Sequence, residues 1–188
     1  GVEHYVYSSV ASADRHTGIP HFESKWKIEQ HIRESGLPAT ILRPAFFMEN
    51  FSAPWMRPSI MEGTLALPLR PAKKLQMVAV HDLGEFAAAA FLRPEEFIGR
   101  TIELAGDELT MPEVAEDLSR TMGRPVAFRQ LGDDEAEKAY GPDMARMYRW
   151  MNDTGFAVDI AALRERYGIP LMTFEQVIAT AEWAKGSS

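Results

Sequence analysis

Not one of the 188 residues is cysteine. That removes disulfides, thiolate catalysis and cysteine-ligated zinc, although it does not fix the compartment. Long apolar runs are missing too, and none approaches the roughly 20 residues of a membrane-spanning helix. Positive charge is in short supply: 20 Lys and Arg stand against 27 Asp and Glu, for a net charge of -7. Nucleic-acid backbone and anionic membrane surfaces both call for a basic face, so neither is expected as a partner. The five histidines, His4, His16, His21, His31 and His81, show no metal-ligand spacing, and no metal site is expected. There is no internal repeat and no low-complexity segment. What the chain does have is 46% hydrophobic residues, enough for one domain or a domain and a half. A soluble, cytoplasmic protein is the default expectation.

The chain begins at Gly1 and runs directly into "VEHYVYSSV", which reads as a buried strand over about 2–8 and the loop after it. A protein rarely opens on an interior strand, so something longer is expected upstream. A helix follows at about 22–35, stopped by Gly36, and then a short buried strand, "ATILRP". Strand, helix and strand in this order make a βαβ unit with parallel pairing. "AFFMENFSAPWM" reads as an aromatic-rich helix or turn and "LQMVAV" as a strand. "HDLGEFAAAAFLRP" reads as a helix with Asp82 as N-cap and Glu85 completing an acidic capping box. "RTIELAG" and "PVAFRQL" read as further strands. Between them, Thr110 and Glu113 box the start of a helix that Gly123 ends. Three helices are expected after that: 134–138 running irregularly into 142–152, then 159–167, then 173–184. Strands dominate early and helices late, an α/β chain with a helical carboxy-terminal lobe.

One helix carries an anomaly. In "PHFESKWKIEQHIRES", a period of about 100° per residue places His21, Lys25, Ile28 and Ile32 on one side. A lysine on the core-facing stripe, in a first turn where the dipole disfavours a cation, needs a reason. Either Lys25 lays its stem over the core and keeps its ammonium wet, or that face meets a polar ligand at the carboxyl ends of the strands. In the second case lysine supplies donors for sugar hydroxyls or phosphate, and Ser8 and Ser9 stand where the preceding strand ends. His21, one turn earlier, is either structural or a proton donor. Glu49 and Asn50, in an apolar setting, need partners if buried. Met144, Met147, Tyr148, Trp150 and Met151 suit either helix packing or the wall of an adaptable apolar pocket.

Taken in order, "GVEHYVYSSV", "PHFESKWKIEQHIRESGLPATILRPAFFMENF", "HDLGEFAAAAF" and "ELAGDELTMPEVAEDLSRTMGRPV" resemble the NmrA-like family of atypical short-chain dehydrogenases/reductases. The resemblance covers nearly the whole chain. It implies α/β architecture: the carboxy-terminal part of a Rossmann-like parallel sheet plus a smaller, mostly helical substrate lobe. Residues 1–45 and 80–105 would belong to the dinucleotide-binding domain, and 46–79 and 106–188 to the substrate or partner lobe. NADP or NAD is the implied cofactor. Lys25 matches the family lysine that contacts the nicotinamide ribose. Ser8 and Ser9 match strand-end residues beside the nicotinamide, Phe47, Met48, Glu49 and Asn50 match the stretch lying along the cofactor, and Pro44 is expected to line the same side. Phe46, Trp55, Trp150 and Met151 are expected to line an apolar substrate pocket for a small carbonyl or quinone.

The match departs from the family in two places. His21 stands where typical members carry the catalytic tyrosine, so with Lys25 it is the candidate catalytic residue. The same departure suits a rival reading, a non-catalytic redox sensor that contacts a protein partner through the carboxy-terminal lobe. The second departure is the absence of a Gly-x-x-Gly-x-x-Gly turn after a strand. Roughly the first hundred residues of such a fold would precede Gly1. A fragment, a truncated gene product or incomplete coordinates would each account for that, and an inactive remnant is the third functional possibility. Lost central strands would leave open edges prone to association, so a homo-oligomer is also possible.

Overall fold

Tyr5 to Ser8 and Ala39 to Pro44 pair in parallel, with Tyr5 opposite Ala39 and Ser8 opposite Leu42. The computed structural model that shows this describes residues 1–185; positions 186–188 of the expected carboxy-terminal lobe lie outside the described residues. In chain order, β1 (Tyr5–Ser8) leads through a loop to α1 (Pro20–Glu34), β2 (Ala39–Pro44) and the two-residue β3 (Phe46–Phe47). A one-turn 3-10 helix at Met48–Ser52 precedes α2 (Arg57–Met61), β4 (Thr64–Leu67) and β5 (Lys74–Val78). Then come α3 (Val80–Leu92), α4 (Pro94–Phe97), β6 (Thr101–Leu104) and β7 (Asp107–Thr110). The chain finishes with α5 (Met111–Met122), β8 (Ala127–Gln130), α6 (Asp133–Asp153), α7 (Ile160–Tyr167) and α8 (Phe174–Thr180).

Three small sheets result among the described residues. One is wholly parallel in the order β1-β2-β6, one runs β3-β5-β7 with only β7 antiparallel, and one pairs β4 with β8 in parallel. The α/β class and the mostly helical end are as expected. β1 is not the interior strand that its valines and tyrosines suggest. Tyr5 and Ser8 are exposed and Val6 and Tyr7 half-buried, and β2 is its one strand partner among the described residues. β2, the true centre, is buried from Thr40 to Pro44.

α1 starts on Pro20 and gives way to Gly36 at φ 69°, where only glycine is unstrained. Its buried face is not the expected stripe. Phe22, Glu29 and Ile32 point inward, while Ile28 is 43% exposed. An apolar count misses this because the core here demands a carboxylate: Glu29 answers the buried Arg43 of β2.

α3 corrects a second expectation. It begins at Val80, not after Asp82, and carries no cap of its own. Glu49, far off in sequence, accepts the Val80 N–H at 2.9 Å. Asp82 is instead fully buried, and its Oδ2 accepts the Met172 N–H at 2.9 Å. α5 has the expected box, with Glu113 N donating to Thr110 Oγ1 and Thr110 N donating to Glu113 Oε2. α6 bends at Gly141, φ 78°, as its irregular pattern suggests. The last expected helix stops at Thr180. Ala181 is extended, and one 3-10 turn then brings the Trp183 indole N–H to Ser52 Oγ at 2.9 Å.

Among the described residues two large apolar clusters fill the fold, beside a small third one of Ala11, Ala45 and Ala105. The larger joins Phe22, Phe46, Phe51, Met111, Tyr148 and Phe174 among others. The second packs Leu42, Phe86, Phe97 and Leu104 beneath α3. They meet near Gly106, where an added Cβ would lie 2.7 Å from the Met172 carbonyl oxygen and 3.1 Å from Asp82 Oδ2. Backbone cannot retreat as a side chain tip can, so Gly106→Ala should cost about 1–3 kcal/mol, read as a lower urea midpoint. A midpoint unchanged from the parent would contradict this packing.

Candidate functional site

The parallel ladder continues past the strand ends: Ser9 N donates to Leu42 O at 2.7 Å, and Ala11 N to Pro44 O at 2.8 Å. This carries Ser9 and Val10 on one side, and Pro44 to Phe47 on the other, to the carboxyl edge of the sheet. The floor there is ionic and fixed. Ser9 Oγ donates to Glu29 Oε1 at 2.5 Å, and Arg43 grips the same carboxylate through Nε at 2.9 Å and Nη2 at 2.8 Å. Arg33 adds a bond to Glu29 at 2.9 Å, and Arg43 Nη1 reaches Asp14 at 3.0 Å. Ser9 is buried and its proton is committed; Ser8 is exposed.

Lys25 sits over this edge. Its Nζ donates to the Ser8 carbonyl at 3.0 Å and lies 5.1 Å above the Tyr7 ring. One bond leaves two ammonium hydrogens for a ligand. The Tyr7 hydroxyl is buried without a partner, and burial, then Tyr5 and Glu29, push its pKa up.

Two cavities open beside these groups. The smaller, about 190 Å³, is lined by Ser9, Val10, His21, Phe22, Pro44, Ala45, Phe46, Phe47, Asn50, Met144, Met147, Met151 and Phe156. The larger, about 310 Å³, is lined by Phe46, Asn50, Trp55, Met56, Ala139, Tyr140, Met144 and Tyr148. Phe46, Asn50 and Met144 belong to both, so the cavities adjoin. Trp55, 65% exposed, stands at the outer one. Of the expected residues, Trp150 lines neither; it packs edge-on to Phe22 and Phe156 behind the smaller cavity. Met48 is buried in the core and also lines neither. Glu49, between Phe47 and Asn50, caps α3 with Oε1 and leaves a buried Oε2 without a partner.

Asp143, Tyr140 and Phe156 went unmarked in the sequence. Asp143 Oδ2 meets His21 Nδ1 at 2.8 Å across 122 positions of sequence. No local pattern announces such a pair. The kink at Gly141 was the one visible hint, since it turns α6 just before Asp143. The two cavity tyrosines are unlike activated phenols. Tyr140 donates to the Ala66 carbonyl at 2.9 Å and its pKa is raised by burial. Burial, then Tyr140, push Tyr148 up as well.

With this geometry in hand, the sequence profile described as the NmrA-like family matches residues 1–176. Prestalk A differentiation protein A of Dictyostelium discoideum is 37% identical over 113 residues, 60% of this chain and 37% of that protein. A (4-alkanoyl-5-oxo-2,5-dihydrofuran-3-yl)methyl phosphate reductase of Streptomyces griseus is 34% identical over 125 residues, 64% of this chain and 43% of that protein. The chain thus spans less than half the length of these two relatives. Among solved structures, an NADPH-dependent quinone oxidoreductase of Escherichia coli, complexed with NADPH, superposes with a TM-score of 0.74 at 23% identity. That likeness covers 94% of this chain and 65% of the other, and it shows a shared fold.

Proposed function

The chain belongs to the NmrA-like family, and from that premise we propose that it forms the nicotinamide and substrate side of an NAD(P)H-dependent reductase. The observation that carries this reading is the pair of adjoining cavities at the carboxyl ends of β1 and β2, beside Lys25 and His21. We assign residues 1–45 and 80–105 to the dinucleotide-binding domain and 46–79 and 106–188 to the substrate lobe.

The residues fit such a cofactor. Lys25 has donors to spare for ribose hydroxyls, and the unpartnered Glu49 Oε2 is an acceptor waiting for a hydroxyl. Ser8 and the Pro44–Asn50 stretch flank the same edge. A reduced nicotinamide dinucleotide would supply hydride when bound. The outer cavity, walled by Phe46, Trp55, Tyr140, Met144 and Tyr148, suits a flat apolar carbonyl compound or quinone. A quinone fits both this lining and the activity for which the superposed E. coli quinone oxidoreductase is named.

Titration of the intact, full-length protein against NADPH fluorescence tests the reading. A saturable change is expected, and Lys25→Met should weaken binding about tenfold or more, the value of one charge-assisted hydrogen bond. No change on titration would sink the proposal. NADPH oxidation across a panel of quinones then separates reductase from sensor, because a redox-sensing regulator binds without turnover.

A further inference from the structure

We infer that Asp143 is the positioning residue of a proton-delivering pair, in which it orients His21 so that Nε2 hands a proton to the substrate oxygen during reduction. This rests on the reductase reading above. A carboxylate accepts and cannot donate, so the 2.8 Å contact puts the hydrogen of the neutral imidazole on Nδ1. Nε2 is then the working nitrogen, a donor once the ring is protonated. It has no hydrogen-bond partner among the described residues, and His21 lines the smaller cavity.

The carboxylate is held there by the backbone. Gly141, at φ 78°, turns α6 immediately before Asp143. One turn later Arg146 Nη1 donates to the Gly18 carbonyl at 2.8 Å, fastening α6 to the loop that enters α1. Asp143 Oδ1 is buried with no partner. An unmade bond at a buried carboxylate oxygen is costly to folding, and such atoms persist where the charge has other work. Here that work is to hold the Nδ1–H of His21.

The other hydroxyls that line the two cavities are already committed or poorly suited. Ser9 gives its proton to Glu29, so toward a ligand it is an acceptor. Tyr140 gives its proton to Ala66, and burial raises the pKa of both Tyr140 and Tyr148. The step balances as follows. Hydride adds to the electrophilic carbon of the C=O group, and the π pair moves to oxygen. That oxygen takes the proton from Nε2, whose N–H pair stays on nitrogen. The products are an alcohol, oxidised dinucleotide and a neutral imidazole still bonded to Asp143 through Nδ1. Solvent reprotonates Nε2, since the His21 side chain is 39% exposed.

Long-range proton–nitrogen spectra of the intact protein with ¹⁵N-labelled histidine read the tautomer without cofactor or turnover. Neutral His21 should be the Nδ1–H form in the parent, and Asp143→Ala should shift it toward the Nε2–H form that free imidazole favours. With NADPH and an accepted quinone or carbonyl, Asp143→Ala should lower kcat about 100-fold, at the low end for a lost general acid, with NADPH affinity unchanged. Asp143→Glu should recover part of it. Should Asp143→Ala not fold, Asp143→Asn, close in size, carries the kinetic test. A parent in the Nε2–H form, or a variant with full kcat, overturns the inference. A parent that turns over normally alongside a full-rate variant leaves the reductase reading standing, whereas absent NADPH binding removes that reading first.

Discussion

Arg43→Ala should lower the free energy of unfolding by about 3–5 kcal/mol, the effect of stranding one member of a buried ion pair. Glu29 is fully buried and the Arg43 side chain is 5% exposed, so water cannot replace the lost guanidinium. The remaining cation, Arg33, lies toward the surface at 41% exposure and bonds through one nitrogen only. The Arg43–Glu29 contact is a fork, with Nε and Nη2 on separate oxygens, so lysine should rescue little. Trp26 adds to the loss because its ring carries both guanidinium groups at 5.1 and 5.8 Å. Neutralising the partner is the decisive control: Arg43→Met with Glu29→Met should recover most of the stability, since an apolar pair of similar volume removes the desolvation cost. Urea unfolding measures all of this. A single variant within about 1 kcal/mol of the parent would mean that Glu29 is not charged and desolvated as described.

The same substitution changes the acid limb of stability. Burial works to raise the Asp14 pKa, but the Arg43 guanidinium outweighs it and holds the carboxyl below its ordinary value. A lowered carboxyl pKa contributes stability that is complete above the unfolded-state value and lost as pH falls through the folded one. Without Arg43 that contribution goes, so the variant should show a flatter decline on acidification. The site feels it as well, because Ser9 donates to the carboxylate that Arg43 fixes.

This network also explains where sequence and structure part. Caps and breaks are local and were readable: Thr110 with Glu113, Gly36, Gly123 and the bend in α6 are where the residues put them. The strand–helix–strand order was readable for the same reason. Of the α1 face Ile32 was read rightly but Phe22 and Glu29 were missed, because a period count treats Glu29 as a surface residue and cannot see the arginine it answers on β2. The α3 start was misread because its cap is Glu49, supplied from another segment. β3, β4 and β7 are two to four residues long, too short for a period to stand out from their surroundings. At the carboxyl edge, sequence order made legible that Lys25 stands beside Ser8 and that Phe46, Phe47 and Asn50 face the cavities. Asp143 was not, since the pairing exists only after α6 folds against α1.

Phe51→Ala should cost about 3–5 kcal/mol, the range for deleting a fully buried aromatic ring whose surroundings only partly collapse. Phe51 is fully buried and sits edge-on to two rings, 5.8 Å from Phe46 and 5.0 Å from Phe174. Phe174 opens α8, and Trp183 beyond it is bonded to Ser52, the next residue after Phe51. The void therefore loosens the carboxy-terminal end where it docks on the 3-10 turn. Phe46 gains room on the other side, and Phe46 is a wall of both cavities. Stability and substrate binding should fall together, with a higher KM for the reducible substrate. Phe51→Leu, which keeps most of the volume, should recover more than half the loss. Thermal and urea unfolding of both variants, with KM measured on the folded fraction, decide it. A loss below about 1 kcal/mol for the alanine variant would show that the ring is not the keystone between Phe46 and Phe174.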